Sequence, residues 1–60
     1  MNRLLTVEEE GILESARNMF GAGQKVLDDP STSREVRKMV GDTMESMRQL
    51  LRGVGLEEHL

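Results

Sequence analysis

Sixty residues allow one small domain, and a chain this short hides only about 60% of the surface its unfolded form exposes. With no Cys there is neither a disulfide framework nor a thiolate metal site, and the single His, His59, cannot build a histidine-rich one. The net charge of −3 carries no global nucleic-acid signature, so self-association is the remaining common reinforcement for a fold of this size.

The apolar residues are Met, Leu, Val, Ile and Ala, with Phe20 the only aromatic one, a set that favours helix over sheet. A charged fraction of 32% and a mean hydropathy of −0.47 also suit a disordered chain, but the periodicity described below opposes that reading. Charge is unevenly spread. Up to residue 29 three cations face six carboxylates; over residues 30–56 five cations face three, before Glu57 and Glu58. An acidic half and a basic half can pair within a chain or between two. Met1–Leu5 lacks the apolar run of a signal peptide, and no apolar run exceeds two residues, so neither export nor a membrane span is expected. A cytoplasmic location follows as the default.

In chain order, Thr6-Val7-Glu8-Glu9 reads as a capping box, with Glu8, Glu9 and Glu10 where the helix dipole favours negative charge. Ile12, Ala16, Met19, Gly23 and Val26 then repeat at alternating spacings of four and three, flanked by Leu13, Phe20 and Leu27. Asp28-Asp29-Pro30 stops this helix, since the residue before Pro is pushed out of helical geometry. The first helix is predicted over about residues 7–27, with a turn at 28–32. Phe20-Gly21-Ala22-Gly23 is its weak point, and a break there would give a three-helix chain instead.

Thr32-Ser33-Arg34-Glu35 offers a second capping box, with Asp29 as cap and Pro30 in first helical position as the competing start. Val36, Val40, Thr43, Met47, Leu50 and Val54 continue the same spacing, widened by Met39, Met44 and Leu51. This second helix is predicted over about residues 33–54. Gly55 in a left-handed cap, with Leu56 folding back towards Leu51, would end it, leaving 57–60 as a frayed tail. The fold class expected is all-α: an antiparallel two-helix hairpin that dimerises into a four-helix bundle. Beyond the seam, Leu13, Phe20, Leu27, Met39, Met44 and Leu51 are expected to need a second layer.

No residue pattern points to catalysis. Gly21-Ala22-Gly23 is part of a dinucleotide fingerprint, but Val26 replaces the third glycine and no strand precedes it. Glu10 and Glu14 share a helix face yet have no pocket to separate their pKa values. Asp28-Asp29 lacks the spacing of a calcium loop, and Ser31, Thr32 and Ser33 suit turn and capping roles. No catalytic residue, cofactor or metal site is assigned. The expected function is a small non-enzymatic protein–protein interaction module, an adaptor, inhibitor or regulator, acting as a helical homo-oligomer. Its interface draws Ile12, Leu13, Met19, Phe20, Val26 and Leu27 from the first helix. Val36, Met39, Val40, Met44, Met47, Leu50 and Leu51 come from the second, where the methionines make an adaptable surface. The alternative is a nucleic-acid-binding helical dimer using Arg34, Arg37, Lys38, Arg48 and Arg52. Against it, Glu35, Asp42 and Glu45 interleave with these cations, and aromatic stacking partners are lacking.

Overall fold

The computed structural model describes residues 4–60; Arg3, counted above among the cations of the first half, lies outside them. Helix α1 spans Val7–Asp28, helix α2 spans Arg34–Gly53, and a 3₁₀ turn, Glu57–His59, follows. No strand occurs among the described residues, and no helix there is long and apolar enough to cross a membrane. The helices pack along one another as a hairpin, 42 × 18 × 17 Å in extent.

The start of α1 is the expected box. Thr6 Oγ1 accepts from the Glu9 amide at 3.1 Å, and Glu9 Oε1 accepts from the Thr6 amide at 3.0 Å. The helix then runs without interruption through Gly21 and Gly23. Gly23 lies where α2 crosses, and Val40 and Met44 pack over its bare backbone. That packing offsets the poor helix propensity of glycine.

Asp29 leaves the helix with extended backbone, as a residue before Pro should. Its Oδ1 accepts from the Ser31 amide at 2.9 Å and the Ser31 hydroxyl at 2.7 Å, which forms the turn. The second capping box is corrected. Thr32 Oγ1 instead donates to the Val26 carbonyl at 2.7 Å, adding to the bond that this carbonyl accepts from the Asp29 amide at 3.3 Å. Ser33 becomes the cap, its Oγ accepting from the Val36 amide at 3.3 Å. The box shifts by one residue, and Val36 stands where a Glu would be needed to complete it.

The end of α2 is a Schellman motif. Gly55 has φ 77°, its amide donates to the Arg52 carbonyl at 3.1 Å, and the Leu56 amide donates to the Leu51 carbonyl at 2.8 Å. Leu56 thereby folds onto Leu51, and both are buried. Residues 57–60, expected to fray, are instead held: Arg17 donates to the His59 carbonyl at 2.6 Å, and Arg52 pairs with Glu57. Burial of Leu56 draws the segment against the helices.

The core lies at the end of the hairpin away from the turn. Leu13, Ala16, Leu51 and Leu56 are buried there, with Leu5, Phe20 and Met47 packed against them. The inward stripe continues through Gly23, Val40 and Met44 towards the turn. The predicted seam holds at Ala16, Gly23, Val40 and Met47 and is rotated at its other positions. Ile12, Met19, Val36, Leu50 and Val54, placed at the helix contact by periodicity, are exposed. Leu13 and Leu51, expected to need a second layer, are covered within the chain. Each apolar stripe is wider than one helix contact, and the larger flanking side chains occupy it.

A candidate interaction face

Residues three, four and seven apart share one side of a helix. Ile12, Met19 and Val26 therefore line up on α1, and Val36, Thr43 and Leu50 on α2, with Met39 and Val54 beside them. Of these, Met39 is 66% exposed, Leu50 63% and Val54 58%. Between the helices, towards the turn, lies a groove of about 310 Å³. Met19, Gly23 and Val26 from α1 and Met39, Val40 and Met44 from α2 are among its walls. A second hollow of about 570 Å³ continues it past Ile12, Ala16 and Met47. Met19 lines both, so the two form one continuous apolar trough. Among the described residues lining it, only Glu8, at one end, is charged.

Gly23 shapes the groove floor. A Cβ built there would stand 2.7 Å from Met44 Sδ and 3.3 Å from Val40 Cγ1, so a side chain would push into the helix contact. The sequence pattern placed Gly23 on the apolar side but could not show how closely α2 approaches.

The reverse face of the hairpin is charged. Glu10, Glu14 and Arg17 border a polar hollow over Leu13. The Arg48 guanidinium lies 5.0 Å from the centre of the Phe20 ring, a cation–π contact. Arg52 reaches Glu57 through Nε at 3.0 Å and through its terminal nitrogen at 3.2 Å. This hydrogen bonding, added to by the nearby positive charge, holds the Glu57 carboxyl below the usual carboxylate range.

The five candidate nucleic-acid cations are not gathered into one patch. Arg37 is bound into the turn, donating to the carbonyls of Leu27, of Asp29 at 2.6 Å and of Thr32 at 3.3 Å. Lys38 pairs with Asp42 at 3.3 Å, as expected from their spacing. Arg34, Arg48 and Arg52 are exposed along the edge of α2 away from the trough. The turn role of Arg37 was not read from the sequence; the signal for it was the set of unpaired carbonyls that every helix end leaves. Backbone and side-chain hydrogen bonds from Ser31, with the charge of Arg37 adding to them, lower the Asp29 pKa. No group of three or more potential metal ligands is found among the described residues. Compared with protein-family models, with curated proteins and with solved structures, the chain matches none.

Proposed function

We propose that this chain is a non-enzymatic protein–protein interaction module that works as a homodimer, two hairpins packing into a four-helix bundle. The observation that carries the reading is the trough, charged only at Glu8 among its described lining residues, with Met39 in its wall and Leu50 and Val54 on the same side all largely in solvent. A small core of four buried side chains leaves the single hairpin little to stand on. Each large aliphatic side chain withdrawn from water contributes about 1.5–3 kcal/mol when fully buried, and less here in proportion to its exposure. In such a dimer the charged reverse faces point outward and are what a further protein partner meets, which suits an adaptor or regulator.

Nucleic acid is the less favoured partner. Arg37 is engaged with backbone carbonyls, and Lys38 and Arg52 each face a carboxylate. Molar mass by light scattering over a range of concentrations tests the reading. A mass twice that of the 6.8 kDa chain is expected. A helical, stably folded monomer throughout the micromolar range overturns it.

A further inference from the structure

We propose that Met44 is an oxidation site through which a peroxide opens the hairpin: its thioether holds α2 against α1, and its sulfoxide does not. The inference goes beyond the homodimer reading and does not rest on it, because Met44 lies in the helix contact of the single chain.

Four methionines line the trough, and they differ in what surrounds the sulfur. Met39 is 66% exposed and Met19 43%, so an oxygen added to either turns into water. Met47 shares the second hollow with Ser15, whose hydroxyl can donate. Met44 is half-buried, and its Sδ lies 2.7 Å from the place that a Cβ on Gly23 would take. The sulfur therefore rests against the bare backbone of α1. An oxygen bonded to it has two directions open. Towards α1 it enters the contact and drives the helices apart, as a side chain at Gly23 would. Towards the groove it finds no donor. Among the described lining residues only Thr43 has a polar side chain, and that hydroxyl donates to the Met39 carbonyl at 2.8 Å. A sulfoxide oxygen is a strong acceptor, and an unpaired acceptor kept from water is costly. Either way the contact must open.

The groove of about 310 Å³ gives a molecule little larger than water access to the sulfur. A lone pair on Sδ attacks one oxygen of hydrogen peroxide, and the S–O bond forms as the O–O bond breaks. The proton on the transferred oxygen passes to the departing hydroxide, which leaves as water. Sulfur is oxidised by two electrons and the peroxide is reduced by two. Reductases specific for each sulfoxide epimer restore the thioether, releasing the oxygen as water while two thiols become a disulfide, so the opening is reversible.

The test uses two chains that each keep one of these methionines, with leucine, a volume-conserving replacement, at the other three. One carries Met19→Leu, Met39→Leu and Met47→Leu; the other carries Met19→Leu, Met44→Leu and Met47→Leu. Each is treated with hydrogen peroxide in dilute solution until peptide mass spectrometry finds the added oxygen at the retained position. The Met44 chain should lose most of its helical circular dichroism and regain it with both reductases and dithiothreitol. The Met39 chain should keep its signal. Equal loss in the two chains, a loss that the reductases do not reverse, or a Met44 sulfoxide that leaves the helices intact overturns the inference. So does a Met44 sulfur that resists peroxide while Met39 is fully converted. Where the leucine substitutions themselves unfold the hairpin, the comparison passes to Met44→Gln and Met39→Gln in the otherwise native chain. Gln is polar and close to Met in helix propensity. Met44→Gln should lower the urea midpoint well below that of Met39→Gln, and equal midpoints overturn the inference.

Discussion

Arg37 shows how much of the turn rests on one side chain. Its planar guanidinium donates to three carbonyls, those of Leu27, Asp29 and Thr32, which surround the end of α1. Removing it as Arg37→Ala should lower stability by about 1–2 kcal/mol, read as a fall in the urea midpoint. Arg37→Lys should not restore it, because a point charge cannot span acceptors set around a rigid fork. Glycines diverge at the same scale. Gly21 has open space where a Cβ would go, so Gly21→Ala should raise the midpoint by up to about 1 kcal/mol through helix propensity alone. Gly23→Ala adds the same propensity but must displace Met44, so its gain should be smaller or reversed. Helical spacing puts the two on different faces, but only the position of α2 shows how closely one of them is covered.

Helix ends were the most legible elements. Thr6 with Glu9, Pro30 after Asp29, and Gly55 before Leu56 each carry a local hydrogen-bond geometry that a few adjacent residues determine. The second start was misplaced by one residue because Thr32 had a competing acceptor, the Val26 carbonyl, that only the folded turn supplies. The chain end was misread for a similar reason, since its hold on Arg17 joins residues 42 positions apart. Both the turn and this end contain an acid whose pKa is lowered, Asp29 by Ser31 and Glu57 by Arg52. An acid depressed on folding stabilises the fold fully above its unfolded pKa and ceases to do so as pH falls through the lower, folded value. The thermal midpoint should therefore be level near neutrality and drop below the usual carboxylate range. Asp29→Asn and Glu57→Gln together should flatten that drop; an unchanged acid profile in the double variant would count against these two groups.

For the molecule as a whole, the hairpin was legible and its rotation was not. Each stripe satisfies helical spacing twice over, once through Ile12 and Met19 and once through Leu13 and Phe20, and periodicity alone cannot rank them. What decides is non-local: Leu56 returns onto Leu51, and the pair closes over Leu13 and Ala16. The core is consequently concentrated at one end, where Leu51→Ala should cost about 2–4 kcal/mol, enough to leave so small a domain largely unfolded by circular dichroism. Truncating Ile12 to Ala, on the other stripe, should cost the isolated hairpin far less. An excess of apolar surface was thus legible in the sequence, but not the side of the hairpin that bears it.

The five residues between the helices, 29–33, also restrict how two chains can meet. A hairpin whose loop opens can lend its second helix to a neighbour, giving an interlocked pair held by the same contacts. Opening this one strips three carbonyls of Arg37 and breaks the bonds between Asp29 and Ser31, so the hinge is latched. In the proposed dimer, copies would then associate as closed units that trade places without unfolding. Two differently tagged forms, once mixed, should reach a statistical mixture at native conditions with no denaturation step.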